Sequence, residues 1–76
     1  MYERTRFGGI AIGDQVVVAV THSTFLGQTG TVTRIIEADG EGTIFVRLAS
    51  GSILPFGYSE VVTQDAFFSG GEVFHD

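Results

Sequence analysis

Seventy-six residues make one domain, and a chain this short buries only about 60% of its unfolded surface, which leaves room for one small core and none for a second domain. The absence of cysteine rules out a disulfide framework and a thiolate metal site. Four arginines and no lysine against nine carboxylates give a formal net charge of -5, which argues against nucleic acid as the main ligand, because such binding relies on cations that neutralise phosphates.

The start, Met1-Tyr2-Glu3-Arg4-Thr5-Arg6, lacks the apolar run of a signal peptide, and no stretch reaches the roughly 20 apolar residues that span a bilayer. A soluble, cytoplasmic protein is expected. Eleven glycines with abundant Val, Ile, Thr and Phe favour short strands joined by tight turns. The chain divides into an N-terminal arm at 1–9, a β-barrel at 10–63 and a C-terminal tail at 64–76. Gln15 to Val20 is the first clear strand, with Val16, Val18 and Val20 on one face and Val17 and Ala19 on the other. Since neither face is polar, the strand is expected to be central or covered on both sides.

A polar loop with an apolar tip follows from Thr21 to Leu26. Gly27 and Gly30 bracket Gln28-Thr29, a spacing that suits a turn with positive φ or a close approach of two backbones. Thr31 to Glu37 reads as the second strand with Val32 inward. Ile35-Ile36 breaks its alternation, and the break predicts a bulge or strong bend there. Asp39-Gly40 is the strongest hairpin signal in the chain. It leads into Thr43 to Leu48, where Ile44, Val46 and Leu48 share one face and Phe45 and Arg47 the other. Ile53-Leu54-Pro55-Phe56 is a fourth strand, which Pro55 confines to an edge or to pairing on one side, since it cannot donate a ladder bond. Gly57 to Glu60 reads as a short 3₁₀ turn and Val61 to Thr63 as a closing strand. The expected core is Val16, Val18, Val32, Ile44, Val46, Leu48, Leu54 and Phe56. The fold class predicted is all-β: a single five-stranded, strongly bent barrel with flexible or packed terminal arms.

Gly13-Asp14-x-Val16-x-Val18 followed by Gly27-x-x-Gly30-x-Val32 resembles a KOW motif, the strand-loop-strand unit carried on SH3-like barrels in ribosomal proteins and transcription elongation factors. The likeness covers about a quarter of the chain and implies an SH3-like barrel in which Gly30 is the glycine of the loop-to-strand junction. Gly13, Gly27, Gly30 and Gly40 are the expected turn glycines. The loop from Thr21 to Leu26 is longer than the family's usual one and carries none of its common basic residues.

No catalytic, cofactor-binding or metal-binding constellation is predicted. His22 and His75 have no partner at metal-ligand spacing, and Ser23 is only a sequence neighbour of His22. Asp39 and Glu41 flank a hairpin tip, where turn propensity and solubility explain them. Gly8-Gly9 and Gly70-Gly71 lead into no lysine-bearing helix, so neither is a phosphate loop.

Aromatic residues remain in surplus. Seven phenylalanines and two tyrosines exceed what so small a core consumes. Two placements compete for the surplus. In one, the arms fold back and lay Phe7 and Ile10, with Phe67 and Phe68, over the open barrel face. In the other, Phe25, Leu26, Phe45, Arg47 and Tyr58 form a surface that docks a partner. The tail from Ala66 to Asp76, with Phe74 and His75 near its tip, reads either as a frayed end or as a linear motif. The expected function is that of a non-enzymatic, acidic protein-binding module, in keeping with a regulator or inhibitor. The alternative is a KOW-type RNA- or ribosome-associated module using Arg34 and Arg47 with Phe45 as a stacking ring.

Overall fold

The computed structural model describes residues 1–20 and 23–65. His22, Phe67, Phe68, Phe74 and His75, on which parts of the sequence reading fall, lie outside the described residues. The protein is all-β and antiparallel. Among the described residues, strands run at Tyr2–Arg4 (β1), Arg6–Phe7 (β2), Ile10–Ala11 (β3), Gln15–Val18 (β4), Thr29–Ala38 (β5), Glu41–Leu48 (β6), Ile53–Gly57 (β7) and Val61–Thr63 (β8), with a 3₁₀ turn at Tyr58–Glu60 before the last.

The main sheet has the order β7-β6-β5-β4-β8, and β1 joins it as a sixth strand by pairing with β5. β2 and β3 form a separate hairpin. The expected count of five strands is therefore corrected to a six-stranded sheet plus a two-stranded hairpin. The extra strands come from the N-terminal arm and the first two residues of the expected barrel, where alternation is too short to be read as strand. Among the described residues β7 and β8 do not pair with each other, so the sheet is not closed by hydrogen bonds. No helix among the described residues is long and apolar enough to cross a membrane.

β4 is central, as its two apolar faces predict, flanked by β5 and β8. It stops at Val18 rather than Val20. Beyond it the loop takes over the pairing: Gly27 N–H donates to Val18 O at 2.9 Å and Val18 N–H to Gln28 O at 2.9 Å, while Ala19 N–H turns to Glu60 O at 2.8 Å. β5 is the long strand that organises the sheet. One edge pairs with β6 along its length; the other is divided between β4 at residues 29–31 and β1 at residues 35–37.

The bulge falls at Thr33, two residues before the predicted break. Val32 pairs with Val46 and Arg34 with Phe45, leaving Thr33 unmatched, and its Oγ1 donates to Phe45 O at 3.3 Å. An extra residue shifts the parity of the strand. Gly30 and Val32 face inward at even positions before it, and Ile35 faces inward at an odd position after it. The Ile35-Ile36 irregularity in the sequence is the downstream trace of that shift.

β5 and β6 join through Asp39 and Gly40, with φ of 55° and 79°. Positive φ at both central residues is the type I′ geometry that matches strand twist, and it explains the Asp-Gly pair. The core consists of Ile10, Val16, Val18, Val32, Ile35, Ile44, Val46, Leu48, Phe56 and Val61. Leu54, expected inside, is partly buried against it together with Phe7, Val20 and Phe25. Each fully buried Val or Ile contributes roughly 1.5–3 kcal/mol relative to exposure, so about ten such side chains dominate the stability of a domain this size.

Gly30 sits where β5 crosses closely over β6. A Cβ there would lie 2.5 Å from Val46 Cγ1 and 2.6 Å from Arg47 O, so the contact requires glycine although its φ is ordinary. Gly13, Gly27 and Gly40 instead adopt positive φ.

Candidate binding surface

The loop between β4 and β5 is a set of hydrogen-bonded turns. Ser23 N–H donates to Val20 O at 3.1 Å, Leu26 N–H to Ser23 O at 3.2 Å and Gln28 N–H to Phe25 O at 2.9 Å. Ser23 Oγ accepts from Phe25 N–H at 3.0 Å, a local side-chain bond of the kind that fixes turns. These bonds turn Phe25 toward the core and Leu26 outward, where it is 52% exposed. Between the loop and β7 lies a groove of about 320 Å³ bordered by Val20, Ser23, Phe25, Leu54, Pro55 and Phe56, with the exposed carboxylate of Glu60 beside them. Glu60 Oε1 accepts from Gly57 N–H at 2.8 Å, which ties the 3₁₀ turn to the end of β7.

Phe45 lies on the outer face of β6. The Arg34 guanidinium stands 5.9 Å from its ring centroid, within cation–π range, and Pro55 is its cross-strand neighbour on β7. Arg47, two residues along the same face, is exposed opposite Thr31 and Ile53. Arg34 and Arg47 thus flank one ring. Arg34 is also paired: its Nε and Nη2 donate to Glu3 Oε2 at 3.0 and 2.6 Å. Arg4 pairs with Glu37 through Nη1 alone, so β1 is laid against β5 with two ion pairs.

Tyr58 belongs to a different region. Its ring meets Phe7 edge to face, with centroids 5.3 Å apart and planes at 76°, and its hydroxyl donates to Gly8 O at 2.9 Å. Phe7 in turn lies over Gly42, where a Cβ would come within 2.6 Å of the ring. The covering-arm placement is therefore the one Phe7 and Ile10 adopt: Ile10 is core, and Phe7 packs on it and on Tyr58.

The five residues expected to dock a partner do not form one patch. Phe25 and Leu26 occupy the loop, Phe45 and Arg47 the outer face of β6, and Tyr58 the seat of the N-terminal hairpin. Pro55 connects the first two, since it borders the Phe25 groove and pairs with Phe45. Tyr58, 41% exposed, meets the N-terminal arm through Phe7 and Gly8, whereas Phe25 and Phe45 have Pro55 as a common neighbour. Sequence reasoning passed over Leu54, Pro55 and Glu60 as surface groups. The available signal was Pro55, whose edge placement is right: among the described residues β7 pairs with β6 alone.

Asp14, next to Gly13 before β4, accepts from Ala11 N–H at 2.9 Å through Oδ2 and thereby fixes the turn into β4. Among the described residues no three His, Asp or Glu side chains gather in a metal-binding arrangement, and no polar or charged side chain is buried. The chain matches no family model, no curated protein and no solved structure.

Proposed function

We propose that this chain is a non-enzymatic protein-binding module on a strongly bent SH3-like barrel, and that it docks a larger protein through the loop carrying Phe25 and Leu26. Three features support the scaffold: the strand order β8-β4-β5-β6-β7, the bend at the Thr33 bulge, and the 3₁₀ turn leading into the last strand. One observation carries the function. A turn-braced loop lines an apolar groove with Phe25 and also carries an exposed leucine, Leu26, and exposed apolar surface with a polar rim is what interfaces use. Burying one large apolar side chain stabilises a contact by about 2 kcal/mol, so Leu26 and a few neighbours suffice for a transient complex.

A KOW-type RNA-binding role is the second reading, favoured by the Phe45 ring standing between Arg34 and Arg47. The Glu3 carboxylate on Arg34 and the net charge weigh against it. An affinity pull-down from source cells, run with and without nuclease, separates the two. A specific protein retained after nuclease is the expected result; retention that nuclease abolishes overturns the protein-binding reading.

A further inference from the structure

We infer that the groove between the Phe25 loop and β7 takes a partner segment that presents apolar side chains alternating with lysine or arginine, engaged through side chains and not as an added strand. The inference rests on the protein-binding reading and names the class of partner.

The apolar half of the preference comes from the lining. Val20, Phe25, Leu54, Pro55 and Phe56 supply the walls. Leu26, 52% exposed, stands on the same loop as Phe25 and offers a further apolar contact. The basic half comes from charge. Glu60 spends Oε1 on Gly57 N–H and makes no bond through Oε2 among the described residues, so one carboxylate oxygen beside the groove is free to accept from a cation. The four arginines sit elsewhere: Arg4 and Arg34 are held by Glu37 and Glu3, and none borders the groove. A charge-assisted bond from an approaching guanidinium or ammonium to Glu60 is therefore unopposed there, and the net charge of -5 assists the encounter.

The mode of engagement follows from the hydrogen-bond pattern of β7. Leu48 N–H donates to Ser52 O at 2.8 Å, which sets the antiparallel alternation. Val46 and Leu54, and Ile44 and Phe56, are then the hydrogen-bonded pairs with β6, and Ile53, Pro55 and Gly57 direct their backbone groups to the outer edge. Pro55 has no N–H, and Gly57 N–H is taken by Glu60. Among the described residues only Ile53 retains a donor along that edge, too few for a continuous ladder. A partner segment laid here must bind by filling the groove.

The test is a nitrogen-15 NMR titration of the full chain with three synthetic 12-residue peptides: one alternating leucine and arginine, one alternating leucine and glutamate, and one of glycine, serine and arginine. The leucine-arginine peptide is expected to shift the amides of Val20, Ser23, Phe25, Leu54, Phe56 and Glu60, and to bind at least about tenfold more tightly than either control. Glu60→Gln keeps an oxygen for Gly57 N–H and removes the charge, and it is expected to weaken that binding about fivefold. Glu41→Gln, an equal charge change on the hairpin tip, is expected to alter it less than twofold. Leu26→Ala, at an exposed site that leaves folding intact, is expected to weaken binding about fivefold. Equal effects of Glu60→Gln and Glu41→Gln overturn the proposal, since attraction would then be only net charge. Equal binding of the leucine-glutamate peptide, or shifts confined to the outer face around Phe45, overturn it too. A partner retained in the pull-down whose binding is indifferent to Glu60→Gln and Leu26→Ala sinks this inference alone, whereas no retained protein sinks the reading beneath it.

Discussion

Gly30→Ala is the most direct probe of how tightly the sheet is folded on itself. The added methyl would stand 2.5 Å from Val46 Cγ1, 2.6 Å from Arg47 O and 3.2 Å from Arg47 C. Two of those atoms are backbone of a strand paired on both sides, so the β5–β6 crossing must open, at an overpacking cost of about 1–3 kcal/mol. Alanine also restricts the unfolded chain, which offsets about 0.4–1 kcal/mol. The net loss expected is about 1–1.5 kcal/mol, or roughly 4–12 °C in Tm for a domain of this size. Urea unfolding followed by far-UV circular dichroism measures it, with a lower midpoint at unchanged slope. Gly27→Ala is the companion variant: nothing lies within 4 Å of its Cβ, but φ is +85°, so backbone strain alone is expected to cost about 1–2 kcal/mol. Adding Val46→Ala to Gly30→Ala should give a loss about 1 kcal/mol smaller than the sum of the singles, because one of the two clashes is relieved. A Gly30→Ala protein within about 0.5 kcal/mol of the parent would refute the close-approach argument, since compatible glycine sites show only the small entropic gain.

Two further outcomes follow from the arm. Gly42→Ala should unseat Phe7 and cost about 1–2 kcal/mol, and in a Phe7→Ala background the same substitution should be close to neutral; urea midpoints of the four proteins check this, and equal costs in both backgrounds would show that Phe7 does not lean on Gly42. Glu3→Gln should change stability by less than about 0.5 kcal/mol, because Glu3 and Arg34 are 65% and 52% exposed, whereas Glu37→Gln, from a carboxylate 17% exposed, should cost more but no more than about 1–1.5 kcal/mol; the ordering reverses only if exposure does not govern these pairs.

The parts of the fold that the sequence makes legible are those in which one local rule dominates. Asp39-Gly40 announces its turn because few other pairs tolerate two positive φ values in succession. Glu41 to Leu48 shows clean alternation because one face is core and the other solvent. Pro55 marks an edge, and Tyr58–Glu60 a 3₁₀ turn. The Thr33 bulge was legible only as a displaced echo, because threonine fits a strand and the parity change appears where the next large apolar residue falls. The arm was not legible: β1, β2 and β3 span two or three residues each, below the length at which alternation carries information, and their placement depends on Glu37, Gly42 and Tyr58, which are distant in sequence. The same non-local dependence explains the candidate surface. Whether Tyr58 is a free ring or a seat for Phe7 is decided fifty residues away from it, at the Gly8 carbonyl.

That seat gives the protein an internal optical reporter. The chain has no tryptophan and two tyrosines. Tyr2 is 63% exposed, whereas Tyr58 is held by an edge-to-face phenylalanine and a hydroxyl bond to a backbone carbonyl. Near-ultraviolet dichroism arises from aromatic rings fixed in asymmetric surroundings, so the tyrosine band of this domain reads the docking of its own N-terminal hairpin, with no label introduced.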